Sequence, residues 1–286
     1  MTSVAGGTPP GVRPLNADID VFGLTHPGLV RPNNEDQFLI ASLHKTMRVH
    51  STSVPVDRLS GLTSESRGHL FVVADGVGGR PGGEHASGTA LQAIAAYATN
   101  TLRLYYQHDP APEGPFLSDL EAAVSEGHAA VLAEAAGTAT TLTMILVRWP
   151  RAYLVHVGDS RCYRLREGKL EQMTKDQTMA QALVDAGVLP PDQVSESRWA
   201  NVLSSALGAQ EMRPAITSFD CRWEDVVMLC TDGLTKHVAD DEIATQLRET
   251  RSAEQICRNL IELALARGGS DNVTVVAGRL KERTLA

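Results

Sequence analysis

Short apolar runs and amphipathic stripes follow one another along this chain in groups, with strands in runs and helices in pairs. Ile19–Thr25 and Gln37–Leu43 carry the alternation and β-branched content of strands, with Pro27, Gly28, Pro32 and Asn33 as loop residues between them. A polar, Ser/Thr-rich stretch over 44–67 predicts a surface loop, and Leu70–Ala74 predicts a buried strand. Leu91, Ile94, Ala98 and Leu102 recur at steps of three and four and predict a helix. Leu117, Leu120, Val124, Val131 and Leu132 form a looser second stripe, and Pro110, Pro112, Gly114 and Pro115 are expected to connect the two as an antiparallel hairpin. Four strands are predicted next, Thr140–Val147, Ala152–Val157, Arg161–Leu165 and Lys169–Met173, the last two joined by a tight turn at Arg166-Glu167-Gly168. Met179–Ala186 reads as a helix inside an otherwise irregular stretch ending at Leu203–Gly208. A strand at Val226–Cys230, helices at Asp240–Arg248 and Ala253–Ala266, and a strand at Val273–Leu280 complete the pattern.

Runs of strands with paired helices imply an α+β architecture of helices packed on largely antiparallel sheets, not a doubly wound parallel sheet. The chain has 286 residues, enough to bury a substantial core. Residues 1–17 are rich in Gly and Pro and predict a flexible tail; one domain is expected over 18–282. With 26 Lys plus Arg against 34 Asp plus Glu, the formal charge of −8 disfavours nucleic-acid backbones and anionic membrane surfaces as general partners. Cys162, Cys221, Cys230 and Cys257 form no CxxC pair and read as small apolar residues of a reducing compartment. The N-terminus lacks the apolar core of a secretory signal, and no apolar run is long enough to span a bilayer, so a cytoplasmic location is expected.

The acidic residues stand in informative places. Asp75 follows the apolar run Leu70–Ala74 and precedes Gly76, and Asp232 follows Val226–Thr231 and precedes Gly233. Asp271 lies across Asn272 from the strand at Val273, Glu35 and Asp36 precede the strand at Gln37, and Asp159 follows Leu154–Gly158. A strand buried in a core delivers its end residue to a rigid place, and an adjacent Gly lets backbone oxygen approach a ligand. Converging carboxylates repel one another unless a cation holds them, and oxygen donors suit Mg2+ or Mn2+. Each Asp-Gly taken singly is also an ordinary turn, and spacing alone does not establish convergence.

Seven segments, in order, resemble the metal-dependent type 2C serine/threonine protein phosphatases, especially the compact bacterial members. They are Val30–Asp36, Val73–Gly79, Gly137–Leu142, Gly158–Arg161, Leu203–Gly208, Cys230–Thr235 and Gly269–Thr274, and the resemblance covers about residues 19–280. It implies a four-layer αββα sandwich with two largely antiparallel central sheets and a helix pair on each outer face. It further implies two Mn2+ or Mg2+ ions at one edge, binding the water that attacks phosphorus in phosphoserine or phosphothreonine. By similarity Asp75 bridges the ions, the Gly76 carbonyl joins one of them, and Asp232 and Asp271 complete the other site. Glu35 and Asp36 act nearby, directly or through metal-bound water, so that Asp36, Asp75 and Asp232 carry catalysis. Arg31 is assigned to the substrate phosphate, which its planar fork can grip at two oxygens.

Asp159 stands where the family can carry a third ion, and a turn residue before the hairpin is the competing reading. Lys236 occupies a position where many members have an aspartate that helps bind this third ion. The expectation is therefore two ions, with Lys236 either paired to Asp159 or pointing to solvent. Val77 replaces a histidine proposed in eukaryotic members to protonate the leaving alcohol. Gly137–Thr141 is expected to support the strand behind the site. Residues 176–200 resemble the family's variable flap, with Met179, Leu183 and Val188 expected to pack, and His85 is expected to be a helix residue rather than a ligand. The functional expectation is hydrolysis of phosphorylated proteins, opposing a cytoplasmic Ser/Thr kinase, by a monomer that binds neither nucleic acid nor membrane. A catalytically silent phosphoprotein-binding module and a two-metal hydrolase of another substrate, such as a nuclease, are the competing classes. The retained carboxylates count against the first and the acidic charge against the second.

Overall fold

The structure, a computed structural model, describes residues 13–44, 68–77, 82–100, 113–135 and 137–281. Among these residues ten strands appear in chain order: β1 (Ile19–His26), β2 (Asp36–Leu43), β3 (Gly68–Asp75), β4 (Leu142–Arg148), β5 (Arg151–Val157), β6 (Arg161–Arg166), β7 (Lys169–Gln172), β8 (Ala215–Asp220), β9 (Val226–Cys230) and β10 (Val273–Leu280). The helices are α1 (Gly83–Asn100), α2 (Glu113–Glu134), α3 (Met179–Asp185), α4 (Asp232–Thr235), α5 (Asp240–Glu249) and α6 (Ala253–Ala266). One five-stranded sheet runs β1-β10-β9-β6-β7 and the other β2-β3-β4-β5-β8. Every pairing is antiparallel. The α1/α2 pair covers the second sheet and α5/α6 covers the first, giving the expected α+β sandwich of four layers.

The two-residue period of a strand explains why its central strands read as unbroken apolar runs. In β3, Leu70, Val72 and Ala74 face the α1/α2 core, whereas Val73 faces the opposite sheet together with Phe71. In β9, Met228 and Cys230 face α5/α6, while Leu229 enters the layer between the sheets. Both faces of each strand are covered, so neither can be polar.

Sequence patterning did not predict β8 or α4. The strand β8 is an edge strand paired only with β5, and its mostly exposed side chains give it no apolar stripe. The four-residue α4 is too short to show a helical period. The expected connection at Pro110–Pro115 is corrected at its end: Gly114 and Pro115 belong to the first turn of α2, where a proline's missing N–H costs no hydrogen bond. Leu102, Pro110 and Pro112 lie outside the described residues, as do most of the tail at 1–17 and of the loop at 44–67. All four cysteines are free and buried. No helix among the described residues is long and apolar enough to cross a membrane.

Within this core His156 of β5 is 2% exposed, with one ring nitrogen 2.9 Å from the Thr143 hydroxyl and the other 3.1 Å from the Lys175 carbonyl. Burial lowers its pKa from 6.5 to about 4, so the folded chain holds it neutral. The stability this contributes is complete above the unfolded value and is lost as pH falls through 6.5 toward about 4, because only the unfolded chain takes up the proton. The expected loss is up to about 3 kcal/mol. Unfolding free energies of the chain and a His156→Gln variant, compared between about pH 7 and pH 4, should converge by that amount, and parallel pH profiles would exclude it.

Candidate active site

Antiparallel pairing turns scattered acidic residues into neighbours. Where one strand ends its partner begins, so Asp75 at the end of β3 lies opposite Asp36 at the start of β2. In the first sheet Cys230 at the end of β9 lies beside Arg161 at the start of β6 and Val275 near the start of β10. Asp232 therefore follows one strand, while Asp159 and Asp271 precede two others, at the same edge of the sandwich.

Two close backbone approaches tighten this edge. A Cβ on Gly76 would run into the Gly83 carbonyl at the start of α1, and one on Gly233 would run into the Asn272 carbonyl. The absence of side chains at these positions lets α1 sit against the end of β3, and lets α4 bring Asp232 beside Asp271.

Asp36 is 1% exposed. Its Oδ2 accepts hydrogen bonds from the Thr231 and Thr274 hydroxyls, each at 2.7 Å, and its Oδ1 has no partner among the described residues. Burial pushes this carboxyl up to about 7, the Thr274 and Thr231 bonds oppose the rise, and the charges of Asp232 and Asp271 add to it. Asp75 is pushed well above the usual carboxylate range by burial and then by Asp36, Asp232, Asp159 and Asp271. Its backbone is fixed by Thr141, whose hydroxyl accepts from the Asp75 N–H at 2.9 Å, and by Thr140, whose hydroxyl donates to the Asp75 carbonyl at 2.9 Å. Burial and then the charges of Asp232 and Asp176 raise Asp159 to about 8, with Lys236 opposing. Glu35 is also raised, mainly by burial.

The other half of the site is neutralised. Lys236 donates to Asp232 at 2.6 Å and to Asp271 at 2.8 Å. Arg31 grips Asp271 with both arms of its fork, Nε to Oδ1 at 2.9 Å and Nη2 to Oδ2 at 3.0 Å. Burial pushes Asp271 up, but Lys236 and Arg31 outweigh it and hold the carboxyl below its ordinary value. The same two aspartates keep Lys236 protonated, raising it against the opposing effect of burial.

These residues fit a divalent-metal centre by chemistry. A fully buried carboxylate oxygen lacks any donor, several carboxylates raise one another's pKa, and an ammonium already bridges two of them. Among the described residues no three His, Cys, Asp or Glu side chains converge on one ligating point in this arrangement.

Comparison with known proteins carries the same pattern over most of the chain. Residues 46–271 match the family described as Protein phosphatase 2C. The chain belongs to the protein phosphatase 2C family. The serine/threonine protein phosphatase PstP of Mycobacterium tuberculosis is 37% identical over 255 residues, which cover 87% of this chain. The chain spans only 42% of that relative's length. Among solved structures, the Mycobacterium tuberculosis serine/threonine phosphatase PstP/Ppp aligns with a TM-score of 0.72 at 35% identity, covering 92% of this chain and 99% of that one. The catalytic domain of PstP in complex with two manganese ions aligns with a TM-score of 0.68 at 35% identity, covering 92% and 98%.

Within this phosphatase 2C fold, the expected partner of Lys236 is corrected. It pairs with Asp232 and Asp271, not Asp159, because α4 places residue 236 one helical turn below Asp232 on the same face. Met179 and Val188 of the flap are 39% and 70% exposed, so they do not pack as expected. His85 lies in α1, with Nε2 3.1 Å from the Glu134 carbonyl.

Four residues that support the site escaped the sequence reading. Thr231 and Thr274 hold Asp36 across the two sheets. Asn272 accepts from the Glu35 N–H at 2.8 Å and donates to the Pro27 and Asn33 carbonyls, each at 2.8 Å, tying the loop that carries Arg31 and Glu35 to β10. Arg161 is bound by Asp176 at 2.7 Å where the flap begins. All four lie in or beside the quoted motifs, which was the available signal; their partners are distant in sequence.

Proposed function

We propose that this chain hydrolyses phosphoserine and phosphothreonine in proteins, using two Mn2+ or Mg2+ ions at the carboxylate edge. Membership of the family and the likeness to a domain solved with two manganese ions support this reading. The observation that carries it is the buried, unpartnered Asp36 Oδ1 opposite Asp75, an arrangement that is costly for a fold without a cation to receive it. Asp75, the Gly76 carbonyl, Asp232 and Asp271 would hold the ions, with Glu35 and Asp36 beside them and Asp159 as a weaker third position. When bound, the ions supply an activated water and stabilise charge on the phosphoryl group.

The chain's own residues orient and neutralise. Thr231 and Thr274 fix the Asp36 carboxylate so that its bare oxygen is the one left for a ligand. Arg31 remains 41% exposed while it holds Asp271, so its fork can turn to a substrate phosphate. Arg31→Lys should therefore lower kcat/KM on a phosphopeptide by about 1–3 kcal/mol of binding, since a point charge replaces a two-oxygen grip. An unchanged kcat/KM would remove Arg31 from the phosphate. The Val77 side chain has no acidic proton to donate, so leaving-group protonation falls to water or to another residue.

The remaining assignments belong to the same reading: a catalytic domain over 18–282 with a flap at 176–200, acting as a cytoplasmic monomer that opposes a Ser/Thr kinase, without membrane or nucleic-acid partners. The deciding experiment measures phosphopeptide hydrolysis with Mn2+, with Mg2+ and with chelator, beside nucleic-acid cleavage. Metal-dependent release of phosphate is expected. Phosphopeptide binding without turnover would favour the silent module, and cleavage of nucleic acid the other hydrolase.

A further inference from the structure

The two halves of this site differ in charge balance. Asp232 and Asp271 are matched by Lys236 and Arg31, whereas among the described residues no Lys or Arg pairs with Asp36, Asp75 or Asp159. Asp271 is saturated: Oδ1 accepts from Arg31 at 2.9 Å and from the Asn272 N–H at 3.0 Å, and Oδ2 accepts from Arg31 at 3.0 Å and Lys236 at 2.8 Å. Lys236 is not a loose surface lysine. Its side chain is 27% exposed, and α4 holds it one turn from Asp232.

We propose that Lys236 is a tethered competitor for divalent metal at the Asp232–Asp271 pair, so that the ion held there enters by displacing its ammonium. The proposal rests on the metal-centre reading above and adds an asymmetry to it. An ion entering the Asp36–Asp75 half meets carboxyl groups that no Lys or Arg among the described residues holds, so it displaces no tethered cation and binds first. An ion entering the Asp232–Asp271 half must break two charge-assisted hydrogen bonds, and binds more weakly. Metal supply would thus set the occupancy of one half of the site over a range where the other half is full.

The test titrates the full chain with Mn2+ alone, by calorimetry and by the resonance signal of free Mn2+, and compares it with Lys236→Met. The parent should show a tighter and a weaker step. In the variant the weaker step should tighten by about tenfold or more, the scale of a lost charge-assisted hydrogen bond. In chelator the variant should melt below the parent, because two adjacent carboxylates lose their shared cation, and saturating Mn2+ should narrow that gap. If Lys236→Met does not fold, Lys236→Gln carries the same expectations. Two-step binding that the substitution leaves unmoved, or weakens, would overturn the proposal while sparing the metal centre. Binding of no Mn2+ by either protein would overturn the metal centre and the proposal with it.

Discussion

Replacing Asp75 by Asn should lower kcat on a phosphopeptide by at least about a hundredfold and, in chelator, raise the melting temperature of the protein. The two effects have one cause. Asp75 is buried opposite Asp36, within the fields of Asp232, Asp159 and Asp271. Without a cation its negative charge is a burden on the fold, so a neutral isostere relieves repulsion. With metal, the same carboxylate would be one of the groups that hold the proposed ions. Losing it removes several kcal/mol of charge stabilisation, of which about 2.7 kcal/mol suffices for a hundredfold. Phosphate release and thermal melting of the two proteins, with Mn2+ and with chelator, measure both arms. A variant that keeps a tenth or more of the parent kcat would exclude Asp75 from the centre. A variant less stable than the parent in chelator would show that repulsion at this edge is relieved in another way.

The second large effect is expected from residues that never meet the substrate. Thr231→Val with Thr274→Val preserves side-chain shape and removes both donors to Asp36 Oδ2. The Asp36 carboxylate would then be buried with neither oxygen hydrogen-bonded by a side chain, free to rotate and easier to protonate. Groups that orient a metal ligand typically carry about 10–100-fold in affinity or activity, and the pair should fall near the upper end. The informative readout is the Mn2+ concentration needed for half-maximal activity, which should rise by that factor. A fall in kcat at saturating Mn2+ with no change in metal requirement would mean that the threonines serve the fold and not the ligand. Each single variant should retain part of the effect, since the remaining hydroxyl still reaches the same oxygen.

Much of this molecule is legible one residue at a time. The central strands announce themselves because both faces are buried, and the helix pairs because one face is. The acidic positions Asp36, Asp75, Asp159, Asp232 and Asp271 are visible as strand-end residues, and all but Asp36 stand beside Gly or Asn. These are local signals, set by backbone period and turn chemistry. What stayed hidden was either weakly patterned or long-range. The edge strand β8 has an exposed face and little apolar contrast, and α4 is a single turn.

The tertiary structure alone decided how the acidic residues are partnered. Antiparallel register sets Asp36 opposite Asp75, although 39 residues separate them in the chain. Thr231 and Thr274 reach Asp36 across 195 and 238 residues, and Lys236 reaches Asp271 across 35. Lys236 shows the division most clearly. Its place four residues after Asp232 is written in the sequence, but its partner depended on whether that segment forms a turn or a helix. A helical turn aligns positions four apart on one face, and packing against Asn272 brings Asp271 to that face. The sequence by itself determined which groups could carry charge and which strands would be buried. The distances between those groups, and so which carboxylates share a cation and which are left bare, depend on packing between segments far apart in the chain, and only the folded structure decided them.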